Sequence, residues 1–207
     1  MDKLKAKRAE VFKENYRRYL AQLSEIDLAA RAGVLDIIVE NGAAQIPFFG
    51  TRYWVTPEKI TDESGAQAPY DACVVLARYL LMCPKRLPTE DAWTAYRDFK
   101  DSGPLTVFFA DTVEGAIASA FSDRLALLDG AVKALGGRPP LISLSYDLSL
   151  QIPALPRVPL LLLFNDADED FPAQCSVLFE ARADRYLDAE SLAVLGSHLV
   201  HRLRSHG

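Results

Sequence analysis

The sequence predicts an α+β fold, a mixed or antiparallel sheet packed against several helices, with a helical extension at the N-terminus. Strand patterns gather in two blocks, near residues 45–55 and 143–179, instead of alternating one strand to one helix. The chain has 207 residues, of which 50% are hydrophobic, enough to bury a sizeable core. No repeat, low-complexity tract or linker interrupts it, so residues 1–207 read as a single domain, a helical segment over 1–40 followed by an α+β body over 41–207.

Leu4, Val11, Phe12, Tyr16, Tyr19, Leu20 and Leu23 recur on a 3.6-residue period, which predicts a helix over about Asp2 to Leu23. Ser24 followed by Asp27 reads as a capping signal that restarts a short helix ending near Gly33. Gln45–Phe49 and Arg52–Val55, two β-rich runs around Gly50 and Thr51, predict a hairpin. Thr56 with Pro57 reads as a helix start, and Thr61–Ala68 as a loop. Tyr70–Cys83 is apolar on nearly every side and halts at Pro84, the pattern of a central buried helix. Trp93–Phe99 alternates loosely and leans towards a strand.

Asp111 and Glu114 have capping-box spacing and open a predicted helix, with Val113, Ile117, Phe121, Leu125, Leu128, Val132 and Leu135 on one face. Gly136, Gly137 and the pair Pro139–Pro140 end it. Ser143–Gln151, Pro159–Phe164 and Ser176–Phe179 read as three strands. Asp188 caps the last helix, where Leu187 and Leu192 are spaced as a hydrophobic staple and Leu195, Leu199 and Leu203 face inward.

Charge and composition exclude several functions. The net charge of -5 repels phosphate backbones, so nucleic acid is not expected as a partner. The basic bias near the N-terminus, from Lys3, Lys5, Lys7, Arg8, Lys13, Arg17 and Arg18, reads as a solvated helix face. No secretory signal pattern is present, and the apolar run Val158–Phe164 is far shorter than the ~20 residues a spanning helix needs, so no membrane role is expected. Cys73, Cys83 and Cys175 form no CxxC pair, which leaves no zinc or iron–sulfur motif and the cofactor unknown. Small buried thiols in a reducing cytoplasm fit them best.

Carboxylates offer the candidate chemistry. Asn165–Asp170, with Asp166, Asp168 and Asp170 in DxDxD spacing, could converge oxygens on a hard divalent cation. The calcium-loop pattern fails, because its sixth position is Phe171 instead of Gly and its twelfth is Val177 instead of Glu. A polar turn between two strands is the expected reading, with Asp166, Asp168 and Asp170 as the metal-ligand candidates. Asp168, Glu169, Asp170 and Glu180 are the binding candidates, and paired carboxylates could also divide acid and base roles. His198 and His201 are expected on the solvent side of the last helix, without a carboxylate nearby.

The stretches VPLLLLFNDADEDFPAQCSVLFEARADRYLDAESLAVLG, YDLSLQIPALP, LARYLL and WTAYRDFKDSGPL resemble the prokaryotic domain-of-unknown-function family DUF3786. The resemblance runs from about Phe48 onward and is most specific in the C-terminal third. It rests on Asp168, Glu169 and Phe171 in an acid-acid-aromatic turn, Leu178 and Phe179 in the next strand, and Leu187 with Glu190 at the last helix start. It implies a strand over Trp93–Arg97, an anaerobic host, and relatives joined to an iron–sulfur cluster domain that this chain lacks, and it assigns no reaction. The expected function is therefore a soluble binding or accessory module of a redox or cofactor-dependent system. Its N-terminal helix could dock on a protein partner, or the chain could form a homo-oligomer. The rival expectation is a divalent-metal or carboxylate-dependent enzyme using the 165–170 loop.

Overall fold

The alternating stretches build two four-stranded sheets, both antiparallel throughout, in a computed structural model that describes residues 2–207, with side chains from Glu10 onward. The first contains β1 (Ile38–Glu40), β2 (Ala43–Phe48), β3 (Thr51–Val55) and β4 (Ile60–Thr61) in that spatial order. The second contains β5 (Trp93–Ala95), β6 (Leu148–Leu155), β7 (Val158–Asn165) and β8 (Gln174–Glu180), ordered β5-β8-β7-β6. With the helices around them, these sheets give the α+β architecture expected from the segregated patterns.

Turn chemistry explains the first sheet. Asn41 (φ 51°) and Gly42 (φ 76°) join β1 to β2, and Phe49 (φ 46°) and Gly50 (φ 76°) join β2 to β3. Two positive φ angles match the right-handed twist of a hairpin, which is why Asn-Gly favours it. The second hairpin was expected, one residue later, around Gly50 and Thr51. β1 was not, and it falls within the segment 1–40 expected to be helical. Thr56–Pro57 starts no helix: the Thr56 hydroxyl accepts from the N–H groups of Glu58 (3.2 Å) and Lys59 (3.1 Å), closing a tight turn into β4.

Helix α1 (Asp2–Leu23) packs on α3 (Tyr70–Leu81). The Phe12 ring meets Tyr70 edge-on at 4.9 Å, and the Tyr16 hydroxyl accepts from Ile60 N–H at 2.9 Å. The second half of α1 is therefore docked on its own chain, while the side chains of Lys3, Lys5, Lys7 and Arg8 lie outside the described ones. Asp27 caps α2 (Leu28–Leu35) by accepting from Ala30 N–H at 3.2 Å, and α2 continues past Gly33 to a left-handed Asp36. Asp188 caps α7 (Ala189–His206) through Ser191 N–H at 2.8 Å and also pairs with Arg78. No helix among the described residues is long and apolar enough to cross a membrane.

The middle helix differs from its expected start. The chain is already helical in α4 (Thr106–Phe109), widens into a π-turn over Ala110–Glu114, continues as α5 (Gly115–Phe121), breaks at left-handed Asp123 and resumes as α6 (Leu125–Ala134). Asp111 and Glu114 thus form no capping box. Glu114 instead reaches β8, where its carboxylate accepts the Val177 N–H at 3.0 Å. β5 is only three residues long and pairs β8 from Leu178 to Glu180, so Val177 is the first edge position without a strand partner on that side. The Glu114 side chain occupies the place of the missing strand and satisfies a buried donor.

Burial raises the Glu114 carboxyl above the ordinary glutamate range, against the Val177 hydrogen bond and the charge of Arg97, which lower it. An acid so raised contributes stability below the ordinary range and loses it as pH climbs through the raised value. Glu114→Gln keeps an acceptor for Val177, so its stability relative to wild type is expected to rise from pH 4 to pH 7 in urea titrations. Glu114→Ala leaves the donor unmet and is expected to cost about 1–3 kcal/mol.

Candidate functional site

The acidic loop joins β7 to β8 as a hairpin, with Asn165 opposite Gln174. One oxygen each of Asp166 and Asp168 is committed to backbone. Asp168 Oδ1 accepts from Asp170 N–H (2.9 Å) and Phe171 N–H (2.7 Å), and Asp166 Oδ1 accepts from Asp123 N–H (2.7 Å) and Ala167 N–H (2.9 Å). Asp166 N–H in turn donates to Asp147 at 2.8 Å. Asp147, Asn165, Asp166 and Asp168 rim a polar cavity of ≈ 530 Å³, whereas Glu169 and Asp170 are exposed and not part of its lining. Among the described residues no three His, Cys, Asp or Glu side chains are arranged to hold a metal ion, so Asp166, Asp168 and Asp170 do not converge as a ligand set.

Glu180 is not brought to this loop. It ends β8, about 20 Å along the strand from Gln174 at ~3.3 Å per residue. There it is 8% exposed, and its Oε2 accepts from Arg182 Nε (2.6 Å) and Nη2 (2.5 Å). Pro159 and Leu161 of β7, Gln151 of β6 and Glu180 share one face of the sheet by register and alternation. At its end lies a groove of ≈ 480 Å³, lined by Arg138, Pro139, Leu141, Pro153, Leu155, Pro156 and Pro159 together with the Glu180–Arg182 pair. That volume is ordinary for a ligand site, about 300–1,000 Å³.

Arg138 reaches the groove because its backbone exchanges two hydrogen bonds with Gln151, 2.9 and 2.7 Å, on the outer edge of β6. Pro139 and Pro140 have no N–H with which to continue the ladder, so the chain turns away and leaves Leu141 fully exposed at the rim (104%). The Tyr186 hydroxyl is buried without a partner among the described residues; burial raises its pKa, opposed first by Arg157 and then by Arg182.

His198 contradicts its expected place on the solvent side. It is 2% exposed, its Nδ1 lies 2.5 Å from Asp71 Oδ2 of α3, and its ring stacks on Phe48 at 4.6 Å. His201 is exposed, as expected. The buried face of α7 is wider than the leucine stripe, because α3 covers it on one side and the β2–β3 turn approaches it on another. The other ring nitrogen, Nε2, is buried without a partner among the described residues. Burial pushes the Asp71 carboxyl up, but the hydrogen bond and charge of His198 outweigh it and hold it below the ordinary range. Nothing in the sequence ties residue 71 to residue 198; only tertiary packing does.

The family model described as Domain of unknown function (DUF3786) matches residues 27–202, most of the chain. No curated protein and no solved structure matches it.

Removing one partner of the Asp71–His198 pair strands the other. Asp71→Ala is expected to lose about 3 kcal/mol in chemical denaturation, and Asp71→Leu combined with His198→Phe to regain most of it. A depressed carboxyl contributes stability above the ordinary aspartate range and loses it as pH falls through the folded value. The wild-type advantage over Asp71→Asn should therefore be full at pH 7 and fade on acidification below about pH 4.

Proposed function

We propose, for a chain that belongs to the DUF3786 family, that it is a binding module whose site is the groove beside β6 and β7. The observation that carries this reading is the Glu180–Arg182 pair, a buried carboxylate holding a guanidinium in a proline-lined concavity whose other polar side chains are Arg138 and Gln151. Ligand sites combine that kind of apolar wall with a few placed polar groups. The reading extends to an accessory role in a redox or cofactor-dependent system of an anaerobic prokaryote. The family resemblance supports that role, as do the three free cysteines, which fit a reducing cytoplasm. Burial pushes the Cys73 thiol up to about 12, which suits packing better than redox chemistry.

The second reading is a divalent-metal or carboxylate-dependent enzyme at the acidic loop, and the polar cavity by Asp147, Asn165, Asp166 and Asp168 favours it. Against it stand the backbone bonds that occupy Asp166 and Asp168, and the placement of Glu180 at the other end of β8.

Two measurements separate these readings. A thermal-shift series with calcium, magnesium and manganese is expected to give no stabilisation; an ion at a hundred times its dissociation constant would add about 2.7 kcal/mol and favour the metal reading. Purification from the native host is expected to yield a bound small molecule or protein, lost in Leu141→Asp, whose fully exposed site makes the change nearly neutral for folding, within about 0.5 kcal/mol. A bare monomer with no companion would count against the binding module.

A further inference from the structure

We propose that the groove selects a small apolar carboxylate, seated with its acid on Arg182 and Arg138 and its body against the leucine and proline walls. This rests on the groove being the binding site.

The argument starts from donor capacity. A guanidinium has five N–H donors, and Glu180 Oε2 takes those on Nε and one on Nη2. No other described residue accepts from the Arg182 side chain, so three donors remain. Because Glu180 is more than nine-tenths buried and fixed at the end of β8, it clamps one edge of the guanidinium and holds the plane still. A carboxylate matches a guanidinium edge bidentately, and a guanidinium already held in place loses little side-chain entropy when it binds.

Charge points the same way. Within the groove Arg138 and Arg182 face the single carboxylate Glu180, an excess of one positive charge in a chain whose net charge is -5. Among the described residues nothing pairs with the Arg138 guanidinium. The polar cavity at the acidic loop has the opposite sign, with Asp147, Asp166 and Asp168 around it, and would repel the same ligand. The walls choose the rest of the molecule. Pro139, Leu141, Pro156 and Pro159 offer apolar surface and no further charge, so an anion without an apolar body gains nothing from them.

Calorimetric titration of the full chain tests this with four probes: 2-naphthoate, its neutral isostere 2-naphthamide, 2-naphthylmethylamine and acetate. The acid is expected to bind at least tenfold tighter than the amide or the amine, with acetate undetected. Arg138→Gln, at an exposed position, is expected to weaken the acid at least fivefold and leave the amide unchanged. Glu180→Gln combined with Arg182→Gln removes the clamp without stranding a charge and is expected to abolish the preference. Should the double variant fail to fold, Arg138→Gln alone decides. Equal or tighter binding of the amide or amine, lost in Leu141→Asp, would overturn the carboxylate and leave the groove standing as a site. Acid binding that survives Arg138→Gln would place it elsewhere and overturn the proposal. No binding of any probe would overturn both the proposal and the groove reading.

Discussion

β7 carries Leu160, Leu161, Leu162, Leu163 and Phe164 in succession, so its two faces are equally apolar and both must leave water. Antiparallel sheets commonly solvate one face. Here Leu160, Leu162 and Phe164 join the main core with Val177 and Phe179, while Leu161 (1% exposed) and Leu163 (5%) are buried on the opposite side. That second burial sets the chemistry at the end of β8. Glu180 shares the face of Leu161 and is buried with it, and a buried carboxylate is costly unless paired. Arg182, two residues on, supplies the partner. The ion pair at the groove is thus a consequence of doubly buried β7.

A second junction ties the rest of the chain to that sheet. The β2–β3 turn puts Phe49 in the left-handed region, a conformation a bulky side chain adopts only when its surroundings enforce it. Phe48 and Phe49 are both fully buried against His198, and Phe49 N–H donates to Ala154 of β6 at 3.0 Å. One turn therefore contacts α7 and the second sheet, while the Asp71–His198 bond draws in α3. The site has the orientation of an acid–base pair, but the ring is closed over by aromatic faces. The stacked Phe48 ring and the carboxylate anchor give it a structural clasp's surroundings.

What the sequence made legible divides by range. Hairpins at 45–55 and 158–180, the buried helix at 70–81 and the cap at Asp188 rest on neighbours within a few residues, and those are patterns a sequence displays. The misread starts at Thr56 and Asp111 were also local, yet each pattern fits two outcomes: a Ser/Thr/Asp side chain can close a turn as well as open a helix. Glu114 illustrates this. Its spacing to Asp111 suggested a cap, but the π-turn swings it 63 residues away to Val177. Asp71, His198 and Arg138 carry no local pattern at all, because long-range packing gives them their roles.

The acidic loop and the groove then differ in unused capacity more than in prominence. NDADEDF draws the eye because its charges are adjacent, but Asp166 and Asp168 each spend an oxygen on two backbone N–H groups, three of the four within the β7–β8 turn and the fourth that of Asp123 at the α5–α6 break. Recruiting those oxygens to a cation would release four donors from their bonds, each worth about 0.5–1.5 kcal/mol or more to a charged acceptor. Arg138 and Arg182 stand the other way round: their backbone positions are fixed by the β6 edge and the end of β8, and most of their donors are still open. A ligand at the groove adds bonds without breaking any, which is the physical reason to look there before the loop.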